Sequence, residues 1–130
     1  MSTRSAIALN IGGTYLTIYC HFDGMPERML PTLKDNYNSF DLANKLVSHG
    51  DASSIKAKLE PSSKEAHTFN NPEPDVCVFY HRDRGEDWFS CQPVTYYGKE
   101  LFRRMDIDFA YIFEDEHWNV YNKHGGKINK

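Results

Sequence analysis

Apolar and polar positions alternate near the start of the chain. Ile7, Leu9 and Ile11 fall on every second residue, Gly12-Gly13 follow, and Tyr15-Leu16-Thr17-Ile18-Tyr19 is rich in strand formers. A period of two reads as strand, and a glycine pair supplies the positive φ of a tight turn. Ser5 to Tyr19 therefore predicts a β-hairpin. His21-Phe22-Asp23-Gly24 ends the alternation with turn-forming residues. Pro26 and Pro31 each suit the first position of a helix, where a missing N–H is harmless. Both cannot hold it, so the chain predicts a kink or short turn before a helix at about 31–37. Leu30, Leu33 and Tyr37 share one face of that helix.

A second helix is marked more clearly. Ser39 suits an N-cap, Asp41 lies in the first turn and Gly50 ends the segment. Phe40, Ala43, Leu46 and Val47 form its apolar stripe. Residues 56–75 are polar and broken by Pro61, Pro72 and Pro74, which predicts a long loop. Val76 to Tyr80 reads as a strand that ends in His81-Arg82-Asp83-Arg84-Gly85-Glu86-Asp87. Tyr97 to Met105 predicts a short helix with Leu101 and Phe102 inward. Phe109–Phe113 and Trp118–Tyr121 predict a second hairpin, and residues 122–130 a flexible tail. Strands at both ends with helices between them predict an α+β fold. The expected form is one domain, 1–130, with an antiparallel sheet of about four strands and two or three helices on one face.

Composition narrows the function. The 130 residues carry 15 basic and 18 acidic side chains, a net charge of -3. That excludes the basic footprint of a general nucleic-acid binder. The uncharged stretch from Ser5 to Phe22 holds Asn10, Gly12, Gly13 and several Thr and Tyr, so it is no membrane span. No basic segment followed by an apolar run opens the chain, so no secretory signal is expected. Cys20, Cys77 and Cys91 show no Cys-x-x-Cys spacing and cannot all pair, which points to no structural zinc and to a reducing, cytosolic compartment. Eighteen aromatic residues are generous for so small a core. They predict a homo-oligomer, a dimer in the simplest case, with Tyr96, Tyr97 and Trp118 as contact candidates. One acidic block, Asp106, Asp108, Glu114, Asp115 and Glu116, reads either as a solvated turn or as a surface for a basic partner.

Two polar clusters directly follow apolar strands. One is His21, Asp23, Glu27 and Arg28; the other is His81, Arg82, Asp83, Arg84, Glu86 and Asp87. On strands, residues i and i+2 share a face, so His21 with Asp23 and His81 with Asp83 could each offer two metal ligands. This is the hydrolase alternative, and it requires the two strand ends to converge. The binding alternative uses Arg28, Arg82 and Arg84 for a phosphate, with Tyr19, Phe22 and Tyr80 as ring platforms. No nucleophile elbow and no phosphate loop occurs, so binding is expected rather than catalysis, with no cofactor. The candidate ligand-binding residues are Arg28, Tyr80, Arg82, Arg84, His21 and Asp23.

Five stretches occur in this order: Thr3-Arg4-Ser5, Tyr19-Cys20-His21-Phe22-Asp23-Gly24-Met25-Pro26-Glu27, Gly50-Asp51-Ala52-Ser53-Ser54, Val78-Phe79-Tyr80-His81-Arg82-Asp83-Arg84-Gly85-Glu86 and Tyr111-Ile112-Phe113. Together they resemble a family of small phage- and prophage-encoded proteins. The chain departs from that pattern at Pro31 and in the 56–75 loop. The resemblance implies an accessory protein that antagonises a bacterial antiviral defence in the cytoplasm of the infected host. Its partner would be an anionic nucleotide signal, which it sequesters, or a defence protein, which it blocks as anti-CRISPR proteins do. A structural or accessory phage role is the remaining alternative.

Overall fold

The computed structural model describes residues 3–63 and 65–128. The first hairpin forms as the alternation dictates. β1 (Ser5–Ile11) and β2 (Thr14–Cys20) pair antiparallel. Gly12 and Gly13 both take positive φ, and Asn10 Oδ1 accepts the Gly13 N–H at 2.9 Å. α1 (Pro26–Asn36) starts at Pro26 and runs through Pro31. The expected later start is thus replaced by one continuous helix, which buries Met29 and Leu33. α2 (Phe40–Val47) is capped by Ser39, whose Oγ accepts the Leu42 N–H at 3.1 Å. It buries Ala43, Leu46 and Val47, while Phe40 stays exposed.

Two short strands escape the sequence pattern, β3 (Ala52–Ser54) and β5 (Val94–Tyr97), and the strand expected over Val76 to Tyr80 shrinks to the two residues of β4 (Val78–Phe79). Between β4 and β5 lie two short helices, α3 (Tyr80–Arg84) and α4 (Trp88–Cys91). α5 (Glu100–Arg104) and the hairpin β6 (Phe109–Glu114) with β7 (His117–Asn122) complete the chain. The tail folds back on β7, with Ile128 N–H donating to Val120 O at 2.8 Å. Its last two residues, 129 and 130, lie outside the described residues.

The sheet corrects the expected architecture. The described residues form seven strands in the order β4-β3-β2-β1-β6-β7, with β5 also paired to β2. The sheet is mixed: β1 pairs parallel with β6, and β2 parallel with β3. It is neither four-stranded nor purely antiparallel. The five helices also do not share one face. Ile7, Leu9, Ile18, Tyr111 and Trp118 pack with α1 and α2, while Ala6, Ala8, Ala110 and Ile112 pack beneath Leu101 and Ile107 on the other face. The physical reason lies in β1 and β6. Residues 6–9 and 110–113 are buried on both faces, and strands covered on both sides belong at the centre of a sheet.

Each large side chain buried here contributes about 1.5–3 kcal/mol. Their polar ends are satisfied: Trp118 Nε1 donates to Tyr37 O at 2.9 Å, and Tyr37 Oη to Lys56 O at 2.7 Å. Trp118 is fully buried, so it cannot serve as a contact for a second copy. Cys20 and Cys77 are likewise buried, and burial pushes the Cys20 thiol up to about 12. No helix among the described residues is long and apolar enough to cross a membrane.

Candidate functional site

Register fixes where the two polar clusters lie. Cys20, Ala52 and Phe79 form one row across β2, β3 and β4. β2 and β4 run in opposite directions through that row, because β3 is parallel to β2 and antiparallel to β4. His21 and Asp23 therefore leave at one side of the row, and His81 and Asp83 at the other. The residues after Phe79 are also helical, and in a helix i and i+2 point to nearly opposite sides. Among the described residues no group of three His, Cys, Asp or Glu side chains converges to hold a metal. The four-ligand hydrolase site does not assemble.

The neighbouring row carries the chemistry instead. It holds Tyr19, Asp51 and Tyr80, each one residue before or after the core row. Asp51 Oδ1 accepts the Tyr19 N–H at 2.8 Å, and Asp51 O accepts the Tyr80 N–H at 3.2 Å. His21 joins from just past the end of β2, with Nδ1 2.7 Å from Tyr19 Oη. Asp23 turns away, with φ 60, and pairs with Arg28 at 3.7 Å. Arg28 thus belongs to the start of α1, apart from α3.

On α3 the structure separates the two arginines. Arg82 is an internal strut. Its guanidinium donates to Leu59 O at 2.7 Å, to Cys77 O at 2.8 Å and to both Asp83 oxygens at 2.9 and 3.0 Å. Asp83 in turn accepts the Phe79 N–H at 2.8 Å. His67, from the 56–75 loop, accepts the Glu73 N–H on Nδ1 at 3.0 Å, so its ring proton belongs on Nε2. That Nε2 faces Asp83 Oδ2 at 3.2 Å, in ion-pair range but without the alignment of a hydrogen bond. Burial pushes the Asp83 carboxyl upward, yet the Arg82 guanidinium and the Phe79 N–H outweigh it and hold it below the ordinary value. A cavity of about 580 Å³ adjoins this strut, but Arg82 and Asp83 in its wall are already engaged with each other and with the backbone.

Arg84 is the open one. Its side chain is 50% exposed and its Nε pairs with Glu86 at 3.0 Å. The guanidinium lies 5.1 Å from the Phe69 ring centre and 5.7 Å from that of Tyr80. No hydrogen bond holds its terminal nitrogens among the described residues. It borders two cavities at once, one of about 530 Å³ with Thr68, Phe69 and Asn70, and one of about 200 Å³ with Asp51, Tyr80 and Ser90.

α4 closes the smaller cavity. Asp51 N–H donates to Cys91 O at 2.8 Å, and Gly50 lets the chain pass close to it. A Cβ at Gly50 would stand 2.5 Å from that carbonyl, and its φ is +84. Burial raises the Asp51 carboxyl to about 6. Of the site residues named from sequence, the structure brings Tyr80, Arg84 and His21 near this cavity, together with Asp51, which the sequence reading did not name as one. Its signals were its place in the Gly50-Asp51-Ala52-Ser53-Ser54 stretch and the Gly50-Asp51 pair at the end of a helix, which also reads as an ordinary stop.

Comparison of the chain with family models, with curated proteins and with solved structures finds no match.

Proposed function

We propose that this chain is a non-enzymatic binding protein that holds an anionic, ring-bearing ligand of the nucleotide class at Arg84, Tyr80 and Phe69. The observation that carries this reading is the half-exposed Arg84 guanidinium, set against two rings and bordering two cavities. Such an arrangement supplies charge for a phosphate and flat faces for a base. The acidic block offers less to a basic protein partner. Asp106 pairs with Arg4 at 2.8 Å, Asp108 accepts the Arg4 N–H, and Glu114 is engaged by Asn10 and Tyr121. The resemblance to phage proteins gives the binding its setting, which is withdrawal of a nucleotide signal from a host defence.

A second reading, the blocking of a defence protein or pairing with another copy, draws on exposed Phe89, Val94 and Tyr97. The two readings separate by calorimetry with mononucleotides, cyclic nucleotides and inorganic phosphate, beside plaque counts on strains carrying single defence systems. Nucleotide binding is expected, and Arg84→Ala should weaken it about 10- to 100-fold, the worth of a charged hydrogen bond. Absence of nucleotide binding by the folded protein, or undiminished affinity in folded Arg84→Ala, would overturn the nucleotide reading.

A further inference from the structure

The smaller cavity holds a second recognition element, Asp51. One carboxylate oxygen is fixed by the Tyr19 N–H at 2.8 Å. The other makes no hydrogen bond among the described residues, and the side chain forms part of the cavity wall. Three other polar side chains of that wall already have partners. Ser90 Oγ and Cys91 Sγ both donate to Asp87 O, at 2.7 and 3.3 Å, and Glu86 is paired with Arg84. The cavity thus presents the Asp51 acceptor held in place by Tyr19, the Tyr80 ring, the Arg84 guanidinium and, paired with that guanidinium, the Glu86 carboxylate.

An ionised carboxylate accepts hydrogen bonds and donates none. A base that meets it must therefore bring donors. Guanine sets a ring N–H beside an exocyclic amine, two adjacent donors on one edge. Adenine and cytosine set their amine beside a ring acceptor, and uracil sets its single N–H between two carbonyls. We propose that Asp51 reads the donor edge of guanine, so that the ligand is a guanine nucleotide with its base in the smaller cavity and its phosphate at Arg84 beside Thr68 and Asn70. This rests on the nucleotide reading above and adds the identity of the base. The raised Asp51 carboxyl agrees with it, since burial has left that charge short of partners which two ligand donors would supply.

Calorimetry of the full chain with GMP, IMP and AMP at neutral pH tests the proposal. IMP keeps the ring N–H and lacks the amine; AMP lacks both donors in that arrangement. The expected order is GMP tightest, IMP about tenfold weaker and AMP weakest. Asp51→Asn keeps an oxygen for the Tyr19 N–H, so it should fold, and it should lose the preference for GMP over AMP. Arg84-dependent binding with equal affinity for GMP and AMP would overturn the guanine assignment and leave the nucleotide reading intact. Binding of none of the three would overturn both. A folded Asp51→Asn with unchanged GMP preference would remove Asp51 from recognition. Should that variant fail to fold, the ranking of the three nucleotides on the wild-type chain decides alone.

Discussion

Arg82 and Arg84 stand two residues apart on one helical turn, and they meet opposite fates. Arg82 turns inward, gives four hydrogen bonds and joins α3 to the 56–75 loop through Leu59 O. Arg84 turns outward to two rings and one carboxylate. At 3.6 residues per turn, a step of two residues carries a side chain more than halfway round the helix. Had Tyr80 to Arg84 continued β4, the two guanidinium groups would have shared a face and formed one anion site. The helix instead makes one of them structure and leaves the other for a ligand.

Cutting the inner member should have the largest effect. Asp83→Ala removes the carboxylate that balances the Arg82 charge and accepts the Phe79 N–H in a nearly closed site, where Asp83 is 5% exposed. Breaking a buried pair this way costs about 3–5 kcal/mol, so chemical denaturation should show a large loss, and Arg82→Ala should fall in the same range. A loss below about 1 kcal/mol in both would mean that the strut is not what holds the loop. Next comes Gly50→Ala, which places a Cβ against Cys91 O in a left-handed backbone. It should cost about 1–3 kcal/mol, and it should loosen the cavity at Asp51 by pushing α4 away.

Arg84→Ala sharpens the contrast from the other side. Its stability should stay within about 0.5 kcal/mol of wild type while ligand affinity falls, the reverse of Arg82→Ala. The smallest effect is a pH dependence. Burial raises the Asp51 carboxyl from 3.8 to about 6 in the folded chain, so the folded state holds that proton more tightly than the unfolded one. Protonation therefore stabilises: the contribution is fully present below about 4 and lost as pH rises through about 6. Melting curves of wild type and Asp51→Asn should differ most above that range, with Asp51→Asn the more stable, and approach each other towards pH 4. Asp83 acts in the opposite sense, because its lowered carboxyl gives stability that is present at neutral pH and lost in acid.

The long regular elements were legible from local pattern. Ile7 and Leu9 alternate, Gly12-Gly13 mark the turn, and Ser39 caps α2, all within a few residues of one another. The short elements were legible only in part. The strand expected over Val76 to Tyr80 shrinks to the two residues of β4, and α3 buries none of its own, so no helical period marks where one gives way to the other. Pro31 misled because a proline inside a helix usually ends it, yet Met29 and Leu33 bury on either side of it and hold the helix together. Asp51 gained its place from Tyr19 and Tyr80, its neighbours in space on β2 and after β4. No spacing along the chain records a row drawn from three separate segments. Arg84 and Tyr80 could be picked out by residue type alone, but the separation of Arg84 from Arg82 required the helix.

The parallel pairing of β1 with β6 also has a consequence for how the protein forms. Ser5 to Leu9 find their partners at Phe109 to Phe113, near the far end of the chain. The β1–β2 hairpin needs only the first twenty residues and can close early. Its other edge, with Ala6, Ile7, Ala8 and Leu9, then waits for β6. Bringing such distant segments together is slow, since the loop entropy is lost before the contact is gained. During that wait an unpaired apolar edge is open to other chains. The strand made first is completed last, and a chain that stopped before residue 109 would leave the centre of its sheet unfinished and prone to aggregate.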